Sequence, residues 1–237
     1  IAYTHGKSDY LYHKYFKIIK FIKSKNGLIC LHPHLTKKTK SNTWQNNIDD
    51  KSNLIHLKKI FRIAKKLKFV DSEIIRFGNF HFSQKILNFL IKENVKVDSS
   101  SFPGRKDFLW KESPKKPFFF EKKYKISKKF FDNKRNIIEV PVTTYKVKAE
   151  YDKYKKLRYL DLTTKNKIFK KNFNTINLNS TYFVCLSHPG NLLKCKVKHG
   201  LLGFGVKNFL KNLEFLKKKL ESFSNKDVLF ENLTYFK

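Results

Sequence analysis

The sequence contains no methionine, three cysteines, eight glycines and six prolines, and these shortages narrow what the chain can be. The cysteines, Cys30, Cys185 and Cys195, are an odd number at unrelated spacings, which argues against a disulfide framework and against a zinc ribbon. No apolar run approaches the ~20 residues that cross a bilayer, and residues 1–7 lack the apolar core of a signal peptide. Without an initiator methionine, we interpret the N-terminus as truncated or processed.

Acidic residues are also scarce, and the formal charge of +33 suggests a polyanion as partner. However, only five of the 52 basic residues are arginine, the side chain that nucleic-acid readers favour for its bidentate fork. The lysines are spread over nearly every segment rather than gathered in one stripe. We therefore predict no dedicated nucleic-acid groove, and keep as the alternative a basic RNA- or ribosome-associated protein of an A/T-rich genome.

What the chain does contain is apolar and aromatic residues in periodic order. A hydrophobic content of 41% with 24 phenylalanines is ample for a buried core. In 237 residues without an evident linker or repeat, we predict a single domain over residues 1–237.

Short apolar runs alternate with amphipathic segments at 20- to 40-residue spacing, which predicts an α/β fold with a parallel sheet or barrel. Residues 35–52 and 99–137 are predicted to be irregular. The predicted helices cover residues 10–26, about 50–67, 83–93 and 205–223. The predicted strands cover residues 28–31, 73–77, 95–98, 138–143, 181–187 and 228–230.

Two histidines follow the first predicted strand. Because residues two apart in a strand share a face, His32 and His34 project together, with Pro33 turned away. Two imidazoles on one face can bind one zinc ion, and a catalytic zinc adds a third protein ligand. An isolated H-x-H pattern is more typical of surface or capping histidines, so both interpretations stay open.

Three further candidates lie where other predicted strands end, at the edge where α/β folds place their chemistry. Arg76 follows one strand and can pair with a buried carboxylate. Asp98 follows the next and can orient a histidine or cap a turn. His188 follows the run Tyr182–Leu186 and suits acid–base chemistry near neutral pH, although a lone histidine is more often structural.

Taken in order, these motifs resemble the NodB-like polysaccharide deacetylases, from about residue 27 onward. That family has a histidine-containing strand end, an R-x-G strand end, a helix, a strand ending in D-S-S, an I-E-x-P strand and a closing L-x-H. The matching segments here are Leu31–His34, Arg76–Gly78, Val97–Ser100, Ile138–Pro141 and Leu186–Gly190.

The resemblance implies a deformed (β/α) barrel and a divalent metal, usually zinc, that activates water to remove N-acetyl groups from a sugar or polysaccharide. It implies that His32 and His34 bind the metal and that His188 is the general acid. It implies further that Arg76 pairs with the catalytic base and that Asp98 is an acidic residue near the closing histidine. Aromatics of the 99–131 loop, such as Trp110 and residues 118–120, are candidates to stack on sugar.

One family feature has no match. The Asp-Asp pair after the family's first strand supplies the base and a metal-binding carboxylate, and we expect no such strand before His32, since Asp9 is a poor substitute. Either the pair lies upstream of Ile1, or the chain is a degenerate, inactive relic of the barrel. The sequence is equally consistent with a cytoplasmic and a cell-envelope enzyme, and leaves the saccharide and the oligomeric state open.

Overall fold

A computed structural model describes residues 2–3, 11–67, 69–78, 80, 83–105, 115, 118–119, 137–176, 182–193 and 199–224. The chain divides into two compact units, which we describe separately. The prediction of a single domain stays a prediction. In the described ranges no helix combines the length and the apolar character that crossing a bilayer requires.

The first unit is a parallel α/β layer. Its helices are α1 (Leu11–Ser24), α2 (Asp50–Lys66) and α3 (Gln84–Lys92). Its strands are β1 (Ala2–Tyr3), β2 (Cys30–Pro33), β3 (Thr36–Lys38), β4 (Trp44–Asn46), β5 (Asp71–Ile75), β6 (Val97–Asp98), β7 (Phe118–Phe119) and β8 (Ile138–Glu139). Six strands form a sheet in the order β1-β2-β5-β6-β8-β7, parallel except for the edge strand β7. The predicted mixed α/β fold with a parallel sheet is confirmed.

Local signals explain where these helices begin and end. The Asp49 carboxylate accepts from the N–H groups of Lys51 and Ser52, and the Ser83 hydroxyl accepts from the N–H of Ile86, so both helices have side-chain caps. Helix α1 is followed by Asn26 at φ 57° and then by a glycine. These three helices agree with the sequence prediction to within a few residues.

The core of the first unit lies between α2, α3 and the central strands. Leu57, Ile74, Ile86 and Leu90 are each 0% exposed, and helix α2 packs against β2, β5 and α3. Burial of such side chains contributes about 1.5–3 kcal/mol each. The carboxyl ends of the strands are therefore held by a well-packed layer.

Two expectations for this unit are wrong. A strand does precede His32, because Ala2–Tyr3 pairs in parallel with His32 and Pro33 of β2. Residues 35–52 are not irregular throughout, since β3 and β4 form an antiparallel hairpin. Its turn places Asn42 at φ 64°, and the hydroxyls of Thr39 and Thr43 are hydrogen-bonded at 2.7 Å.

The second unit contains β9 (Thr144–Val147), β10 (Lys156–Tyr159), α4 (Asn166–Asn172) and α5 (Val206–Ser224). The two strands form an antiparallel hairpin. Its core is aromatic, with Tyr145, Phe169 and Phe173 buried and Phe215 packed against them. Helix α5 agrees with the predicted helix at 205–223.

The predicted strand at 181–187 is wrong for its described residues, 182–187. This segment makes single backbone hydrogen bonds beyond the ends of the hairpin, from Thr143 N–H to Val184 O (3.0 Å) and from Leu186 N–H to Leu160 O (2.9 Å). Thr143 precedes β9 and Leu160 follows β10, so these bonds lie outside both strands and are not continued as a ladder. The strand predicted at 138–143 is only Ile138–Glu139, and Pro141 cannot donate to a ladder. The strand predicted at 228–230 lies outside the described residues.

Candidate functional site

A row of hydrogen bonds crosses the carboxyl ends of four neighbouring strands of the first unit. His32 Nδ1 lies 2.8 Å from the backbone oxygen of Arg76, which follows β5. The Arg76 guanidinium donates to Ser99 O (2.8 Å) and to Ser99 Oγ (2.6 Å), just after β6. Ser99 Oγ in turn donates to Val140 O (2.7 Å), just after β8. Strands β2, β5, β6 and β8 are thereby joined by side chains beyond their ladders.

The position of the His34 side chain depends on Gly78, which follows the neighbouring strand β5. It forms an isolated parallel bridge with Gly78, whose N–H donates to Pro33 O at 2.8 Å. A methyl group on Gly78 would collide with the His34 imidazole. The R-x-G motif therefore has a steric reason in this fold, since the glycine provides the space that the His34 ring occupies.

The rings of His32 and His34 lie with their centroids 4.8 Å apart, edge to face. Burial lowers the pKa of His32 to about 4, and the nearby His34 acts in the same direction. His32 is therefore neutral at neutral pH. Because its Nδ1 faces a carbonyl oxygen, Nδ1 carries the proton and Nε2 is the basic nitrogen.

Two carboxyl groups form the buried centre of the row. Asp98 and Glu139 are register partners on the parallel strands β6 and β8, and both are 0% exposed. The Ser100 hydroxyl donates to Asp98 Oδ1, and the Ser101 N–H donates to Glu139 Oε1 at 2.7 Å. Residues Ser99–Ser101, the serine segment, thus contact both carboxyls.

Burial controls the protonation of this pair. It raises the pKa of Asp98 to about 7, against the lowering effects of the Ser100 hydroxyl and the Arg76 charge. Burial also raises the pKa of Glu139 well above its usual value, and the adjacent Asp98 charge raises it further. A carboxyl whose pKa lies near neutrality can hold or release a proton under physiological conditions.

Histidine 188 belongs to the second unit, where it is exposed. It precedes a 3₁₀ helix, Pro189–Leu192, and its backbone oxygen accepts from the Asn191 N–H at 2.9 Å. The preceding residue, Ser187, donates its hydroxyl to Asp161 at 2.9 Å, which anchors the segment. The role of His188 as general acid stays a prediction.

Of the predicted site residues, His32, His34, Arg76 and Asp98 all lie at the strand ends of the first unit. Trp110 and Phe120 lie outside the described residues. Glu139 belongs to the I-E-x-P motif, but the sequence by itself assigns it no role. The sequence feature that points to Glu139 is an acidic residue at the end of an apolar strand. An acidic side chain is rarely fully buried there without a partner.

The two histidines fit part of a metal site. A neutral imidazole with its Nδ1 proton directed at a carbonyl is the usual state of a zinc ligand. Within the described ranges, however, no group of three histidine, cysteine, aspartate or glutamate side chains is arranged to bind a metal ion. His32 and His34 could therefore supply two ligands, and the described residues do not complete the group with a third.

No family model matches the chain, and no curated protein and no solved structure matches it.

Proposed function

We propose that the strand ends of the first unit form the active site of a hydrolase that removes N-acetyl groups from a saccharide, as in the NodB-like deacetylases. The observation that carries the proposal is the hydrogen-bonded row from His32 through Arg76 and Ser99 to Val140. It gathers four of the five motif segments of the resemblance at one edge of a parallel sheet, where α/β enzymes place their reacting groups.

In this proposal His32 and His34 hold the metal, with His32 using Nε2. A zinc ion there would supply the Lewis acidity that amide hydrolysis needs. The neutral state of His32, imposed by its burial, keeps that nitrogen available at neutral pH. Because Gly78 has no side chain, the His34 ring can occupy the space beside it.

Arg76 and the buried carboxyls set the charge of the site. The guanidinium is fixed by two hydrogen bonds to Ser99, so its position does not depend on substrate. Asp98 and Glu139 are fully buried, and a group without solvent access is suited to position neighbours rather than to touch a saccharide. The acidic residue Asp98 therefore acts through Arg76 and the serine segment.

The test measures acetate release from N-acetylglucosamine oligomers and zinc affinity by calorimetry, both with the full chain. We expect zinc-dependent acetate release that is lost in His32→Ala and in His34→Ala, with zinc affinity lowered at least 10-fold by each change. His56→Ala, on helix α2, is the matched control and should retain both properties. Unchanged acetate release in both variants would refute the assignment.

The predicted general acid is tested in the same assay. If His188 protonates the departing amine, His188→Ala abolishes turnover but leaves zinc affinity unchanged, because the residue does not bind the metal. Turnover of His188→Ala at the wild-type rate would remove that assignment without affecting the histidine pair.

A further inference from the structure

The arrangement of Asp98 and Glu139 is unusual for two acidic side chains. They face each other across the β6–β8 ladder, where directly paired residues of parallel strands project from the same side of the sheet. Neither is exposed to solvent. Two carboxylates on directly paired residues repel each other strongly in a medium of low dielectric constant.

In each carboxyl group one oxygen accepts a hydrogen bond and the other does not. Asp98 Oδ1 accepts from the Ser100 hydroxyl, and Glu139 Oε1 accepts from the Ser101 N–H. Asp98 Oδ2 and Glu139 Oε2 are buried and have no hydrogen-bond donor among the described residues. Buried oxygens are almost always hydrogen-bonded, so two such atoms on paired residues call for an explanation. A proton shared between them would give each one a partner.

The surrounding charge is consistent with one proton. Arg76 is the cation that acts on both carboxyls, and it favours their ionised forms. A single guanidinium balances a single carboxylate, and a second buried anion would be uncompensated. His32 contributes no charge at neutral pH, because burial keeps it unprotonated. With one proton, the two carboxyls carry a single negative charge, and Arg76 balances it.

We propose that Asp98 and Glu139 share one proton between their two unpartnered oxygens, and that Glu139 is thereby a positioning residue for the serine segment and Arg76. The proton comes from either carboxylic acid, and the other carboxylate accepts it as a hydrogen bond. This state links β6 to β8 at the point where Ser99, Ser100 and Ser101 leave the sheet. The proposal concerns the resting protein, so it can hold or fail independently of any deacetylase activity.

The direct test is infrared difference spectroscopy of the full chain through a pH titration. We expect the carbonyl stretch of a protonated carboxylic acid that persists well above the usual carboxyl pKa of about 4, weakens as pH rises through about 7 and retains part of its intensity above that pH, because one proton is still shared by the pair. Deuterium exchange should shift the band, as it does for a carboxylic acid proton. A wild-type spectrum without this band well above the usual carboxyl pKa of about 4 would overturn the proposal.

The variant Glu139→Gln sharpens the test. Glutamine retains an oxygen for the Ser101 N–H and offers an N–H to Asp98 Oδ2, so the network stays connected while the shared proton is removed. Above about pH 7, where the wild type retains only the shared proton, we expect the band to be lost in Glu139→Gln, because Asp98 is then the sole carboxyl of the pair and ionises beside Arg76. The control Glu73→Gln removes a carboxyl from β5 of the same sheet and should leave the band unchanged.

The pH dependence of unfolding separates this role from simple packing. A raised carboxyl pKa means that the folded state binds more protons, so Asp98 and Glu139 contribute stability that is lost as pH rises from about 4 to about 7. His32, with its lowered pKa, contributes in the opposite sense, and it does so equally in the wild type and in Glu139→Gln. Glu139→Gln should reduce that slope, because one of the two raised carboxyls is removed, whereas loss of packing alone would lower stability equally at every pH. A slope that remained unchanged in Glu139→Gln would contradict the shared proton.

Discussion

Asp98 of the first unit and Asp152 of the second are both buried, and their environments are opposite. In the second unit, Asp152 lies within 2.8 Å of Arg158 and 3.0 Å of Lys156 and accepts from the Ala149 N–H. In the first unit, Asp98 lies beside Glu139, and one arginine, Arg76, acts on both.

The difference is one of charge ratio. Although burial acts to raise the pKa of Asp152, the Ala149 N–H and the two cations lower it below its usual value. The pKa of Asp98 is raised to about 7. Asp152 has two cations beside it and stays ionised. Asp98 and Glu139 have one cation between them, and the pair retains a proton near neutral pH.

The largest expected effect follows from removing Arg76. Arg76→Met leaves the Asp98–Glu139 pair without its cation and removes two hydrogen bonds to Ser99, so we expect a loss of about 3–5 kcal/mol in the free energy of unfolding. Denaturant unfolding monitored by circular dichroism measures it.

The matched change in the second unit is Arg158→Met. Asp152 retains Lys156 as a partner, so this variant should lose much less stability than Arg76→Met. Equal losses in the two variants would show that the charge ratio does not distinguish the units.

Asp98 and Asp152 should also contribute to stability with opposite pH dependences, and the contribution of Asp98 is partly offset in the first unit by His32, whose lowered pKa gives stability that is lost as pH falls. Stability from the raised Asp98 pKa is present below about pH 4 and is lost as pH rises through about 7, amounting to about 2 kcal/mol between about pH 5 and 7. Stability from the lowered Asp152 pKa is present above about pH 4 and is lost as pH falls. Hydrogen exchange of peptides from each unit, corrected for intrinsic rates, checks both signs. Parallel pH responses in the two units would contradict the comparison.

A smaller effect is expected at the glycine beside His34. Gly78→Ala forces the imidazole away, and such overpacking costs about 1–3 kcal/mol. Gly190→Ala in the second unit is the control, because no atom lies within 4 Å of the added methyl group. Thermal unfolding compares the two variants, and a Gly78→Ala protein as stable as Gly190→Ala would argue against the described position of the His34 ring.

The smallest effect concerns helix caps. Asp49→Ala removes the cap of α2 and should cost about 1 kcal/mol. Helix α4 of the second unit begins after Lys165, which makes no side-chain cap bond, so Lys165→Ala should lose only the exposed ion pair with Glu150, about 0.5 kcal/mol. Urea midpoints resolve this difference, and the reverse order would show that capping does not determine the stability of these helices.

Helices were the most predictable part of the fold, because their signals are local. Asp49 and Ser83 mark the starts of α2 and α3, and the apolar stripe of each helix is the face that is buried. The β3–β4 hairpin was missed because its turn depends on Asn42 adopting a positive φ. The strand at 181–187 was wrong because an apolar run does not specify whether a ladder partner is present.

The candidate site was predicted in part. The order of the motifs indicated that Arg76 and Asp98 follow neighbouring strands, and β5 and β6 are indeed paired. The role of Glu139 was missed, because its burial and its pairing with Asp98 depend on the register of β6 and β8, which are about 40 residues apart in the chain.

The sequence by itself determined the helices, the α/β character and the residues that end the strands, because capping and periodicity act over a few residues. Only the tertiary structure decided that Asp98 and Glu139 face each other with two oxygens unpartnered. Strand register and burial depend on the whole packed layer, and they set the dielectric environment that moves the pKa of each carboxyl. The protonation of this carboxyl pair is therefore a property of the fold, built from residues that the sequence only placed in order.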